Sequence, residues 1–279
     1  NAAGQLGDGT SIGKLIPVRV SGTQTFTSVS AGSYHTCALD EVGAAWCWGT
    51  GFSGELGNGQ AFTQQLTPQP VSGSLRFSSI SSGVHTCAVT LSSEGYCWGG
   101  SSHLAEDRMG PLIPTRIPGS TLFSDISSGT DHSCGITATG TALCWGWTYY
   151  GQLGSAEDKL YAIVPTAVTS STNYTAVSAG GRLSCARSTS NVVHCWGDGA
   201  YGALGTGSTV SRYFPTAINS GATFTSVIAG SDHTCGVTTS GTGMCWGLGA
   251  TGQAGDGLLV HDRPTPVTVS GGHLFSTVD

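Results

Sequence analysis

The side chains in this sequence best able to do chemistry are ten cysteines. They fall in five pairs: Cys37 and Cys47, Cys87 and Cys97, Cys134 and Cys144, Cys185 and Cys195, Cys235 and Cys245. Within each pair the separation is 10 residues. Such thiols can be oxidised to a disulfide, remain as buried thiols, or ligate a metal. His35, His85, His132 and His233 each stand two residues before a cysteine, so on a strand each shares its face and adds a third candidate zinc ligand. The fourth period argues against metal: Leu183 stands where the histidine would be, yet Cys185 and Cys195 are kept. A metal site that has lost a ligand does not need both thiols, whereas a disulfide never involved the histidine. Five disulfides are therefore the expected state, with free buried thiols and a metal site as the alternatives. The histidines are expected to be packed or hydrogen-bonded, and no metal or cofactor is expected.

The elements that must position these cysteines repeat with them. First members of the pairs step along the chain by 50, 47, 51 and 50 residues. An aromatic residue keeps the same step at Phe26, Phe77, Phe123, Tyr174, Phe224 and Phe275, and a proline does so at Pro17, Pro68, Pro114, Pro165, Pro215 and Pro266. Each period reads as four short strands between glycine-rich turns. In the first these are Pro17–Val20, Phe26–Val29, Tyr34–Leu39 and Ala44–Trp48. No segment holds an apolar spacing of three and four over helical length, so essentially no helix is expected. Four strands in a period of about 50 residues is the arithmetic of a β-propeller blade.

The cysteine spacing also fixes a hairpin. Residues 10 apart lie opposite each other if the turn centres on Val42, Ser92, Thr139, Ser190 or Ser240. The next residue is Gly43, Ser93, Gly140, Asn191 or Gly241. A three-residue loop needs a left-handed residue there, and glycine or asparagine fills that role in four of the five periods. Opposed strand positions stand slightly wider than a disulfide prefers, so a modest local adjustment is expected.

Composition narrows the function. Charged residues are 9% of the chain, the formal net charge is −6, and 44 glycines supply turns. No basic field exists to release counterions from a phosphate backbone, so nucleic acid is not an expected partner. No apolar run is long enough to cross a bilayer, and no charged-then-apolar leader opens the sequence. Ten paired cysteines belong to an oxidising compartment, which places the protein outside the cell or at its surface. Asn173-Tyr174-Thr175 is a glycosylation acceptor sequence, with Tyr174 at the repeating aromatic position.

Catalysis finds no foothold. Glu41, Asp107, Asp125, Asp131 and Glu157 are scattered across periods and join no nucleophile. The turns of type Gly-x-Leu-Gly-x-Gly lack the lysine and helix of a phosphate loop, and are expected to be turns between neighbouring blades. Departures from the period are more informative. Trp147-Thr148-Tyr149-Tyr150 occupies the loop where other periods carry Thr50-Gly51-Phe52-Ser53 or Leu248-Gly249-Ala250-Thr251, and aromatics with polar handles can anchor a protein or a glycan. Ser101–Gly110 is a second irregular loop, with charges at Asp107 and Arg108. Trp147, Tyr149, Tyr150, Asp107 and Arg108 are the candidate partner-binding residues, with local packing as the plainer account of the aromatics.

The units Gly4-Gln5-Leu6-Gly7-Asp8-Gly9, Gly54-Glu55-Leu56-Gly57-Asn58-Gly59 and Gly202-Ala203-Leu204-Gly205-Thr206-Gly207 resemble the regulator of chromosome condensation repeat family. Gly32-x-x-His35-x-Cys37 and Cys47-Trp48-Gly49 extend that resemblance over the whole chain. It implies a seven-bladed propeller. For function it implies a range: nucleotide exchange factors, light sensors, enzyme inhibitors and receptor ectodomains. The cysteine-paired version is more similar to secreted members and crinkly-type plant receptor ectodomains than to the nuclear chromatin factor. The glycine-rich half of the repeat occurs six times and the Cys-Trp-Gly half five times, so about five and a half repeats of an incomplete propeller are expected.

The expectation is thus an all-β chain, residues 1–279 forming one propeller domain of a longer protein. Its expected role is an extracellular, non-catalytic protein-binding or structural scaffold, within a larger extracellular assembly. The alternative is a regulator of a small GTPase or an enzyme, acting through one propeller face.

Overall fold

The computed structural model describes residues 1–100, 110–155, 160–259 and 261–278, so Asp107 and Arg108 lie outside the described residues. Five four-stranded antiparallel sheets follow one another, each taking its strands in chain order. The first sheet is β1 (Phe26–Ala31), β2 (His35–Asp40), β3 (Ala45–Gly51) and β4 (Thr63–Pro70). The second is β5 (Phe77–Ser82), β6 (Thr86–Thr90), β7 (Gly95–Trp98) and β8 (Thr115–Arg116). The third is β9 (Phe123–Ser128), β10 (His132–Thr137), β11 (Ala142–Trp147) and β12 (Tyr161–Ala167). The fourth is β13 (Tyr174–Ala179), β14 (Leu183–Ser188), β15 (Val193–Gly197) and β16 (Arg212–Ala217), and the fifth is β17 (Phe224–Ala229), β18 (His233–Thr238), β19 (Gly243–Gly247) and β20 (Arg263–Thr268). One 3-10 turn, Ala200–Gly202, is the only helical element among the described residues. By contact the chain divides into two compact units, Asn1–Ser133 and Cys134–Asp279.

The sheets are blades, but their phase differs from the sequence reading. The proline-bearing strand was expected to open each blade; instead it closes the one before it. Thr63–Pro70 pairs with β3, setting Cys47 against Gln69 and Trp46 against Pro70. Pro17–Val20, read as a first strand, carries none. As the fourth strand the segment has one edge unpaired. That is where a residue without an N–H is tolerated and where it discourages pairing between molecules. Pro68, Pro165, Pro215 and Pro266 all sit on such edges.

The hairpins come out as the cysteine spacing requires. Cys37 faces Cys47, Cys87 faces Cys97, Cys185 faces Cys195 and Cys235 faces Cys245 in strand register. All five pairs are disulfides with Cα atoms 4.1 Å apart, and no free cysteine remains. That separation is closer than an ordinary opposed pair, which is the local adjustment the covalent link needs. The residue after each turn centre is left-handed, with φ of 77° at Gly43, 85° at Gly140, 62° at Asn191 and 84° at Gly241. Ser93, the one poor match by residue type, takes φ 67° as well. Closure of the loop by Ser93 N–H to Thr90 O at 2.9 Å matches Gly43 N–H to Asp40 O at 3.0 Å, so the hydrogen bond imposes the conformation on serine.

Packing explains the remaining repeats. Trp48, Trp98, Trp145, Trp196 and Trp246 are at most 1% exposed, as blade cores require. Phe26, Phe77, Tyr174 and Phe224 of the first strands each meet the tryptophan of their own blade, with ring centroids 5.9 Å apart for Phe77 and Trp98 and 6.1 Å for Phe224 and Trp246. The glycine-rich turns run, along the chain, inside a sheet between its third and fourth strands. In space they grip the following blade. The Glu55 carbonyl accepts the Trp98 indole N–H at 3.0 Å and the Thr86 hydroxyl at 3.1 Å. The Gln152 carbonyl does the same for Trp196 and Ser184, both at 2.9 Å. Gly57 shows why the turn needs glycine: its φ is +63°, and a Cβ there would lie 2.7 Å from Trp98 Nε1.

Candidate partner-binding site

The repeated histidines are interior groups. His35 Nε2 is 2.8 Å from Thr86 Oγ1, and His85 Nε2 is 2.6 Å from Ser133 Oγ. Because Thr86 donates to the Glu55 carbonyl, it accepts from the Nε2–H of His35. The histidine, hydroxyl and carbonyl thereby link neighbouring blades. A serine beside a histidine can in principle act as a nucleophile pair, but His85 and Ser133 are both 0% exposed and no substrate can reach them. Burial pushes the His35 imidazole down to about 4, so it is neutral and serves as a donor. Among the described residues no group of three or more histidine, cysteine, aspartate or glutamate side chains is placed to hold a metal.

What the structure does gather is the aromatic loop. Trp147 ends β11 and pairs across the sheet with Tyr161, the first residue of β12. Their ring centroids are 5.2 Å apart. Tyr149 lies flat on Trp147, at 5.2 Å and 8° between planes, and is 58% exposed. Its outer face is therefore open to solvent while its inner face is braced by an indole. Tyr150 meets a cation instead, with the Arg182 guanidinium 5.0 Å from its ring centroid. Gln152 fixes this turn by accepting the Tyr150 N–H at 2.9 Å. Exposed Tyr213 closes over Gly151, whose Cβ would fall 2.6 Å from its ring.

Of the candidates named from sequence, Trp147, Tyr149 and Tyr150 thus belong to one cluster, while Asp107 and Arg108 fall outside the described residues. Local packing accounts for Trp147 but not for Tyr149. Sequence reasoning missed Tyr161, Arg182 and Tyr213. One signal was available, because Arg182 precedes Leu183, the residue that breaks the histidine repeat. Contact between Arg182 and Tyr150 spans two blades and has no local signature. Asn173 is exposed just before β13, and strand alternation sends Tyr174 into the core while Thr175 also faces out.

Comparison with known proteins gives these features a family. The RCC1-like domain profile matches residues 1–278. The ultraviolet-B receptor UVR8 of Arabidopsis thaliana is 30% identical over 226 residues, covering 77% of this chain and 51% of that protein. The probable E3 ubiquitin-protein ligase HERC4 of Homo sapiens is 30% identical over 206 residues, 66% of this chain and 18% of its own length. The chain therefore spans about half or less of these relatives. Among solved structures, human WBSCR16 superposes with a TM-score of 0.75 at 21% identity, covering 87% of this chain and 66% of that one. Yeast RCC1 (Prp20) bound to Kap60 gives 0.66 at 19% identity, with coverage of 88% and 75%. The ectodomain of the Arabidopsis thaliana receptor kinase ACR4 gives 0.53 at 23%, with coverage of 84% and 67%. Repeat, blade, indole lock and profile agree, and the chain belongs to the RCC1-like domain family of β-propellers.

Proposed function

We propose that this propeller is a non-catalytic binding module of the extracellular space or cell surface, which holds a protein partner through the loops at the third and fourth blades. The observation that carries the reading is one disulfide in each of five blades with no cysteine left over. Such a pattern is stable in an oxidising compartment and rare in a reducing one. A related propeller binds a protein, as in the structure of yeast RCC1 (Prp20) with Kap60. Supporting the loop assignment is the Trp147, Tyr149 and Tyr150 cluster, since tyrosine and tryptophan dominate contact energetics where they are rigid and exposed. The regulator alternative draws on Prp20p from Saccharomyces cerevisiae, which has binding properties toward Gsp1p and histones, but that protein is 18% identical and carries the fold alone.

Two measurements test the reading. Labelling intact cells of the source organism with a membrane-impermeant amine reagent is expected to tag the protein, and a protected protein with alkylatable thiols would refute it. Combined alanine substitution of Trp147, Tyr149 and Tyr150 is expected to weaken a cross-linked protein partner by about 2 kcal/mol or more. Binding that survives with a lowered melting temperature would make those rings packing residues.

A further inference from the structure

Of the five asparagines in the chain, only Asn173 is followed two residues later by a serine or threonine. The repeat supplies a control for each half of that pattern. Thr175 has Thr27, Ser78, Ser124, Thr225 and Ser276 as counterparts, so a hydroxyl belongs there in every period. It has a framework duty, donating to the carbonyl of the facing strand. Thr27 bonds Leu39 O at 3.2 Å, Thr225 bonds Val237 O at 3.1 Å, and Thr175 bonds Arg187 O at 3.2 Å. Asn173 has no such explanation. Its counterparts are Thr25, Arg76, Leu122, Thr223 and Leu274, and none of them is a carboxamide.

The structure fixes the main chain of Asn173 and leaves its side chain free. Its carbonyl accepts the Thr189 N–H at 3.1 Å, and the next residue, Tyr174, donates its N–H to Gly140 O at 2.8 Å. The carboxamide makes no hydrogen bond among the described residues, and the residue is exposed. Gly140 keeps the space beside it clear, since a Cβ there would lie 3.0 Å from Asn173 Cβ. A large substituent on Nδ2 would therefore displace no protein contact. It would also start at the far end of β11 from the aromatic loop, because Gly140 precedes that strand and Trp147 ends it, about 17 Å away.

We propose that Asn173 carries an N-linked glycan, attached before β13 pairs with β14. The donor is an oligosaccharide held as a polyprenyl diphosphate. Asn173 Nδ2 attacks its anomeric carbon, and the new N–C bond forms as the C–O bond to the diphosphate breaks. The lipid diphosphate leaves with the electron pair, and the amide gives one proton to a base of the transferase. Such a transferase must reach the carboxamide and the Thr175 hydroxyl together. In the folded chain that hydroxyl is committed to Arg187 O, and Tyr174 between them is 2% exposed against Trp196. The pattern is thus readable only while the fourth blade is open, ahead of the hairpin that Cys185 and Cys195 close. The inference rests on the extracellular reading, because donor and transferase act on the same oxidising route that forms disulfides.

The test takes the full chain from its native source and maps its peptides by mass before and after an amidase that releases N-linked glycans. The Asn173 peptide is expected to carry a glycan mass that treatment removes, leaving a carboxylate in place of the carboxamide. Expressed in the same source, Asn173→Gln should lose that mass yet form the same five disulfides, and Thr175→Ser, which keeps the hydroxyl, should keep it. For the order of events, a transferase with its lipid-linked donor is offered the full chain from a host lacking that enzyme, either oxidised and folded or reduced and unfolded. Modification of the unfolded chain alone is expected. Equal modification of both overturns the proposed order. A bare Asn173 in native protein whose disulfides are formed overturns the glycan and leaves the proposed function standing. A bare Asn173 together with ten free thiols removes both.

Discussion

His35 Nε2 lies 2.8 Å from Thr86 Oγ1 on the next blade, and that same hydroxyl lies 3.1 Å from the Glu55 carbonyl. One threonine thus bonds a histidine donor and a turn acceptor at once, with the histidine and the threonine both buried. Removing the shared partner should therefore hurt more than removing the histidine. Thr86→Val orphans the buried His35 ring N–H and leaves the Glu55 carbonyl with the Trp98 indole alone, and is expected to destabilise by about 2 kcal/mol or more. His35→Leu leaves Thr86 bonded to Glu55 and repeats what Leu183 already does in the fourth blade, so a smaller loss is expected. Urea unfolding of both variants measures this, and equal losses would mean the hydroxyl is not shared.

Acid should loosen the structure through the same group. Burial lowers the folded His35 pKa to about 4 from a usual 6.5, so between these values the unfolded chain binds more protons than the folded one. Stability contributed by the neutral imidazole is full above the unfolded value and is lost as pH falls through the window between 6.5 and about 4. The loss from this group is on the order of 3 kcal/mol. Burial also lowers His194 and His233, the latter opposed by the charge of Asp232, so they add to the trend. Unfolding measured across that window should show a slope that His35→Leu reduces, and an unchanged slope would exclude His35 as its source.

The hairpin loops offer a paired test of backbone strain. Ser93 holds φ 67° where glycine would be at ease, so Ser93→Gly should stabilise by a few tenths to about 1 kcal/mol. Gly140 holds φ 85°, and a Cβ there would meet Asn173 Cβ at 3.0 Å. Gly140→Val therefore adds a β-branched side chain to a left-handed residue and should cost about 2 kcal/mol or more. Thermal melts that move both variants in the same direction would contradict the loop geometry.

Much of this architecture was legible because the cysteines report register. A separation of 10 with glycine or asparagine after the midpoint admits one hairpin, and the structure forms it. Phase was not legible, since a period can be cut at any turn and still repeat. Whether Thr63–Pro70 joins the hairpin before or after it depends on which sheet edge it reaches, and the long turn Gly54–Gly59 hides that. Ser93 was hidden for another reason: the hydrogen bonds of the loop override residue preference. At the candidate site the loop aromatics stood out as a break in the repeat. Arg182 did not, because its partner Tyr150 is brought to it only by the docking of one blade on the next.

The five disulfides form a blade-by-blade framework, in a protein proposed to work outside the reducing cytosol. Its most direct test is peptide mapping by mass spectrometry of protein taken from its native source, with thiols blocked before lysis and no reductant added. The account predicts five linked pairs, Cys37 with Cys47, Cys87 with Cys97, Cys134 with Cys144, Cys185 with Cys195 and Cys235 with Cys245, and no blocked cysteine. Ten blocked thiols, or links between cysteines of different blades, would contradict it.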